Sequence, residues 1–347
     1  MNRPAHTWIA ARAVALLEDT GSAKGLVDLL KPHSCSATVG SWLPDMGGAR
    51  PGSGFIGNHI FKIEPWSDSK DKHYITPKDK LLKRLGNYRA VSGFLKDPAY
   101  QLPASWWEVA YKGDAAPGRH IPNRAMAVCT MLKDLILMGD KEVDGIFPGT
   151  IDFTPYLVSK VRTRAEAVAT YFFMLSHFVA DGCVPAHCDA RKMMGSSNTK
   201  GLHGKWEDRI AKIVGGYFED ANLICQGTVP KEKQTGFQVV KQSRQVPVVF
   251  KNEPVPSLGK DDKGKDNDVW MEMVNVCRAS FAIASIVAPK EEFPYENTKV
   301  NVSIDDVFAR PNAVPADVVD KMSLHDAVLN TAIVWQSIWN DVIQRKK

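Results

Sequence analysis

Apolar residues recur three and four positions apart through most of the long segments of this chain, the spacing of helices rather than of strands. The first such run, His6 to Leu17, sets Trp8, Val14 and Leu17 on one side. A second has Pro122 at a first-turn position and continues through Met126, Leu132, Leu135 and Ile136. A third opens on Thr163 with Glu166 three residues later, the spelling of a capping box, and is expected to reach about Asp181. Leu202 to Phe218, Val269 to Val287, and a last run through Leu324, Val328, Trp335, Ile338, Trp339 and Val342 complete the set. The pattern predicts an all-α, multi-helix fold.

Two stretches break it. Gly47 to Pro77 is rich in Gly, Pro and aromatic residues, and Thr228 to Lys265 contains Phe237 to Val240 and Val246 to Phe250, which resemble short strands. They read as long loops and a small β-hairpin, and Lys260 to Asp268 reads as a solvated surface loop. At roughly 150 residues per domain, 347 residues make two units or one domain with insertions. Hydrophobic residues at 44% and charged residues at 24% exclude a wholly disordered chain. A net charge of +5 on so large a molecule demands neither nucleic acid nor an acidic membrane as partner. The N-terminal stretch has no signal-peptide layout, so the chain as given reads as cytoplasmic, or as secreted if Met1 stands where a removed signal ended. No uninterrupted apolar run approaches the roughly 20 residues of a membrane span, and the six cysteines form no CxxC pair, which makes free thiols the default. Cys183 and Cys188 are expected to be small buried residues, and Trp335 and Trp339 core packing.

Candidate chemistry gathers between Tyr171 and Ile210, where His177, Asp181, His187, His203 and Glu207 fall in one window. His177 and Asp181 are four apart, so on a helix they project from one face a turn apart, as two ligands of one ion must. His203 and Glu207 repeat that geometry, and Pro185 breaks the first helix so that His187 can approach from another direction. A lone HxxxD is more often a helix-surface pair than a ligand set. Here the neighbours Phe172, Phe173, Leu175, Phe178 and Val179 make the helix a buried one, and buried imidazoles and carboxylates need partners. A bond between His177 and Asp181 alone would leave His187, His203 and Glu207 unexplained. Two pairs joined by a third histidine point to more than one metal ion.

These residues resemble the zinc-dependent phospholipase C and single-strand-specific nuclease superfamily, whose pattern is HxxxD, a histidine six residues after the aspartate, and a further HxxxE or HxxxD. The likeness extends to the N-terminus, where HTWIAARAVALL is similar to the phospholipase opening and His6 takes the place of the first histidine ligand. SWLPD ends in Asp45, and His59 follows fourteen residues later, like the family's Asp and His ligands of this loop. The resemblance implies one zinc held by Asp45, His59, His177 and Asp181, and a second held by His187, His203 and Glu207. It implies a third between His6, a bridging Asp181, and the amino and carbonyl groups of Met1, where the family has tryptophan. Asp45 would also orient or deprotonate the attacking water, which makes it the catalytic residue.

The likeness covers chiefly residues 1–61 and 165–215 of a single catalytic domain, 1–347, with an insertion at about 62–160 and a loop or hairpin excursion at about 228–265. Glu207 and the sixteen residues from His187 to His203 favour the phospholipase branch, whereas the thirty-nine from His6 to Asp45 and the distance from Met1 to His6 favour the nucleases. Met46 and Ile56 stand where choline-selective phospholipases carry aromatics, so a choline cage is not expected there. The implied function is a zinc-dependent phosphodiesterase of phospholipase C type with two or three Zn²⁺. Its substrate would be a phosphate ester, phospholipid or nucleotide, reached in the first case by transient contact with a membrane surface; no protein partner is indicated. The alternatives are a single-strand nuclease or 3′-nucleotidase, and a metal-binding protein without hydrolytic activity.

Overall fold

The computed structural model describes residues 1–46, 61, 120–138, 163–189, 191–194, 202–217, 243–244, 248–260, 264–289, 291–294 and 302–345. Of this part 74% is helical, which makes the fold all-α. In chain order the helices are α1 (Arg3–Asp19), α2 (Lys24–Leu30), α3 (Ala37–Gly40), α4 (Leu43–Met46), α5 (Ile121–Leu137), α6 (Arg164–Gly182), α7 (Pro185–Cys188), α8 (Leu202–Tyr217), α9 (Val269–Val287), α10 (Ile304–Phe308) and α11 (Ala316–Arg345). Turns of 3₁₀ helix lie at Lys31–Ser36 and Lys192–Met194.

Local sequence explains several boundaries. Thr163 caps α6 with the reciprocal bonds expected of the Thr-Glu spelling: its hydroxyl accepts from the Glu166 amide, and Glu166 accepts from the Thr163 amide. Asp268 caps α9 by accepting from Met271 N–H at 2.8 Å. The α6 helix ends at Gly182 and Pro185 opens α7 at a first-turn position where its missing N–H is no loss, so His187 sits beyond the break, as expected.

Burial in α1 departs from the one-sided pattern of its sequence. Every residue from Ala5 to Leu17 is buried, because α1 runs between α11, α8, α6 and α3 rather than on the surface. Its five alanines leave room for neighbours on all sides. The α6 helix is likewise buried along most of its length, packed on α5, α11 and α3. Phe172 and Phe173 meet Trp335 of α11 edge-on at 5.9 and 5.8 Å, so Trp335 is core packing, and Trp339 packs partly buried against the same core.

The α5 helix lies within the 62–160 stretch yet is a core element, packed on α6, α9 and α11; most of the rest of that stretch is outside the described residues. Of the expected strands, Phe237 to Val240 lies outside the described residues. Val248–Phe250 is not a strand: it is an irregular segment with Val249 exposed and Phe250 stacked on His325, so packing against α11 replaces pairing with a partner strand. An isolated antiparallel bridge pairs Lys260 with Asp266 in the exposed loop before α9. One described helix, α9, is long and apolar enough to cross a membrane, and 78% of its most apolar window is buried inside the protein.

The α3 segment approaches α6 so closely that only glycine fits at the contact. A Cβ on Gly40 would lie 2.5 Å from the Thr170 carbonyl oxygen and 2.7 Å from Phe173 Cβ, both fixed by α6. Gly40→Ala is therefore expected to destabilise the protein by about 1–3 kcal/mol, the usual cost of overpacking. Denaturant unfolding checks this, and an unchanged midpoint would show that α3 can withdraw from α6 freely.

Candidate metal centre

Five segments deliver side chains to one point. The backbone of Asn2 is extended, and its carbonyl accepts from the amides of Ala5 and His6, which folds Met1 over the first turn of α1. His6 follows from that turn. The short α4 presents Asp45, α6 presents His177 and Asp181 from its last turns, α7 carries His187, and α8 contributes His203 and Glu207 a turn apart. His59 lies outside the described residues. The backbone amide of Phe61, two positions on, donates to the His187 carbonyl at 3.1 Å.

Asp181 is the centre of the group. Its Oδ1 lies 2.6 Å from the Met1 amino nitrogen and 3.3 Å from His6 Nε2. Its Oδ2 lies 3.0 Å from His177 Nε2 and 3.7 Å from His187 Nδ1. One oxygen of Glu207 stands 2.8 Å from both His187 Nε2 and His203 Nε2, and 2.9 Å from the Met1 nitrogen. Asp45 Oδ1 is 3.6 Å from His177 Nε2. His6, Asp45 and His177 bring ligand atoms within 4.8 Å of one another, and so do His187, His203 and Glu207.

The donor chemistry of the cluster fits cations. His177 Nδ1 lies 2.7 Å from the Ser41 carbonyl oxygen, which has lone pairs alone and so takes the Nδ1 proton. In the neutral ring Nε2 then carries a lone pair facing the carboxylates of Asp181 and Asp45, an arrangement that repels unless a positive charge lies between. Neither ring nitrogen of His6 makes a hydrogen bond, nor does Asp181 Oδ2 or His203 Nδ1, although all are buried. Buried polar atoms are seldom left so. Imidazole nitrogen and carboxylate oxygen are the donors zinc takes, and a backbone carbonyl orienting a ligating histidine is its usual outer support.

Burial and charge act together here. Burial pushes His6 and His187 down to about 4. Burial would lower the Met1 amino group too, but the carboxylates of Asp181, Glu207 and Asp45 prevail and raise it to about 11. Burial opposes ionisation of Asp181, yet the Met1 ammonium, His187, His177 and His6 hold its carboxyl well below the usual range. Glu207 is held down in the same way by Met1, His187 and His203. His177 is raised, with Asp181 and then Asp45 outweighing its burial.

The members of the cluster differ in exposure. The side chains of His6, His177, Asp181 and His187 are at most 1% exposed, whereas Asp45 and Glu207 keep 26% and 20%. Sequence reasoning singled out every side chain named as a donor here. It missed three supports: the Ser41 carbonyl, Gly40 beside it, and the buried Asp189–Arg191 pair that follows His187. Arg191 donates to both Asp189 oxygens and to the carbonyls of Ala284, Ala288 and Phe293, tying the chain after α7 to the C-terminal end of α9. Cys183 and Cys188 are fully buried, and burial raises the Cys183 thiol well above its ordinary value, away from the thiolate a metal would take. Compared with protein-family models, curated proteins and solved structures, the chain matches none.

The pKa directions predict a two-sided pH dependence for metal-stripped protein. His6 and His187 resist protonation until about pH 4, whereas in the unfolded chain they take protons near 6.5, so stability falls as pH drops between those values. The depressed carboxyls act in the same direction at lower pH. The Met1 amino group, raised from 8.0 to about 11, contributes stability that is full below 8 and is lost as pH climbs toward 11. His177, raised above 6.5, likewise loses its contribution as pH climbs past that value, so the melting temperature in EDTA is expected to be highest near pH 6.5 and to fall on both sides. A flat profile from pH 4 to 6.5 would rule out buried neutral imidazoles.

Proposed function

We propose that this protein is a zinc-dependent phosphoric ester hydrolase of phospholipase C type, related to the phospholipase C and single-strand-specific nuclease superfamily. The observation that carries the reading is the convergence of Met1, His6, Asp45, His177, Asp181, His187, His203 and Glu207 on one partly exposed cluster, with buried lone pairs facing one another. Asp45, His59, His177 and Asp181 would hold one zinc. His187, His203 and Glu207 would hold a second, and the Met1 amino group with His6 and Asp181 a third. Zinc bound there supplies positive charge to the phosphate oxygens and acidifies a water.

The residues of the chain account for the remaining steps. Asp45 and Glu207, the two partly exposed members, mark the side from which substrate enters. Asp45 accepts the proton of the water that attacks phosphorus, and the bond from phosphorus to the leaving alcohol oxygen breaks as that oxygen takes a proton in turn. The buried histidines keep their orientation throughout, His177 through the Ser41 carbonyl. A phospholipid substrate requires contact with a membrane surface, and a nucleotide or single-stranded nucleic acid does not. The nuclease or 3′-nucleotidase reading is favoured by one observation, the nuclease-like sequence separation of His6 from a Met1 whose amine reaches Asp181 in the cluster. A metal protein without hydrolytic activity would need a closed ligand shell, and the exposure of Asp45 and Glu207 speaks against one.

Zinc-loaded protein is expected to cleave at least one of a phospholipid, bis-p-nitrophenyl phosphate, single-stranded DNA and a 3′-nucleotide. Turnover of none removes the proposed chemistry. Asp45→Asn should lower kcat by about 10²–10⁴, the scale of general base catalysis, and zinc content measured alongside separates loss of the base from loss of metal.

The Met1 amine can be tested by comparing protein that begins at Met1 with protein carrying an N-terminal extension. The extended form is expected to bind one fewer zinc and to regain it on cleavage back to Met1. Equal stoichiometry would show that the amine is not a ligand.

A further inference from the structure

We infer that Asp320 of α11 is a positioning residue for the half of the cluster carried by α8, through a buried knot with Trp206 and Arg209. The inference rests on the metal-centre reading above. In the HGKWE motif Trp206 lies between the two α8 donors, His203 and Glu207, and borders them on the helix surface. The Trp206 indole is fully buried, and its Nε1 donates to Asp320 Oδ1 at 3.0 Å. About one helical turn on from Trp206, Arg209 donates from Nε and Nη2 to Asp320 Oδ2 at 3.2 and 2.9 Å. Both carboxylate oxygens are thereby engaged, each by α8, and the Asp320 side chain is itself fully buried.

Phe308 of α10 closes the knot. Its ring meets Trp206 edge-on at 5.5 Å and lies under the Arg209 guanidinium at 5.7 Å. These contacts fix both the rotation of α8 about its axis and its position along it, the two variables that decide where His203 and Glu207 point. The other half of the cluster is held independently: His6 by α1, and His177 and Asp181 by α6 with the Ser41 carbonyl. Loosening the knot should therefore unsettle His203 and Glu207 and leave His6, Asp45 and His177 in place. Asp320 touches none of the metal-donor side chains named above, so its effect travels through the helix.

The test is zinc and cobalt titration of the full chain with Asp320→Ala, Asp320→Asn and Trp206→Phe. Asp320→Ala is expected to weaken one metal equivalent by about tenfold or more, the scale of support lost behind a ligand, while the other equivalents keep their affinity. The cobalt absorption spectrum should change for that one ion alone. Asp320→Asn retains an acceptor for Trp206 and should fall between Ala and the parent, and Trp206→Phe keeps the ring packing and tests the indole bond by itself. Uniform weakening of all ions, or unchanged affinity in a folded Asp320→Ala protein, overturns the positioning role while leaving the metal centre standing. If Asp320→Ala does not fold, the same readings from Asp320→Asn and Trp206→Phe decide. A parent protein that binds no zinc or cobalt overturns the metal-centre reading itself, and the inference with it.

Discussion

The structure turns on one buried carboxylate. Asp181 is fully enclosed by the fold, and an isolated charge in such a place costs far more than a domain can sustain. Its survival as an anion requires that positive or proton-donating groups be brought to it, two from the distant N-terminal segment and two from residues near it in sequence. The N-terminus arrives with its amino group, α1 with His6, α6 with its own His177 and α7 with His187. Helix packing and charge compensation thus impose the same requirement. The helices that meet at Asp181 are the ones that must be held together for the core to close, and their buried faces carry the groups that make the charge tolerable.

That coupling explains why so much of the candidate centre was legible in the sequence. Ligand pairs four apart on a helix, capping residues and apolar spacing are local features, so α6, α8 and α9 were read nearly to their ends from neighbouring residues. The parts that were not legible depend on contacts between distant segments. Nothing near Ser41 in sequence says that its carbonyl will meet His177, 136 positions away. Nothing near Gly40 says that α6 will press against it. The α1 pattern looked one-sided because alanine is ambiguous: it suits an exposed helix surface and a crowded interior equally, and tertiary packing chose the interior. Val246 to Phe250 has strand-like residues, but β preference expresses packing against neighbours, and for Phe250 the neighbour is His325 of α11.

The surroundings of α7 show how the fold discriminates among ligand types. Cys183 and Cys188 flank the turn that carries His187, and Cys277 lies on α9, against which α7 packs; all three are fully buried. Burial raises the thiols of Cys183 and Cys277 well above their ordinary value, so the thiolate form that binds metal is disfavoured there. The same burial keeps the imidazoles of His6 and His187 neutral, which is the form that does bind metal. A dry environment therefore suppresses sulfur ligands and favours nitrogen ligands at once, without any change in the distances between them.

Charge arithmetic carries the argument from binding to chemistry. Three carboxylates, Asp45, Asp181 and Glu207, meet imidazoles of which His6 and His187 are held neutral. Two or three zinc ions would bring four to six positive charges, so the loaded cluster would remain net positive. A net positive pocket with two carboxylates at its rim attracts an anion while keeping a base beside it, and a phosphodiester is an anion that needs a base to direct water at it. A purely structural site gains nothing from excess charge and is better served by ligands that balance the metal and exclude solvent. Asp45 and Glu207 are partly exposed while His6, His177, Asp181 and His187 are almost completely buried, so under the proposed function a substrate would reach the cations past these two carboxylates.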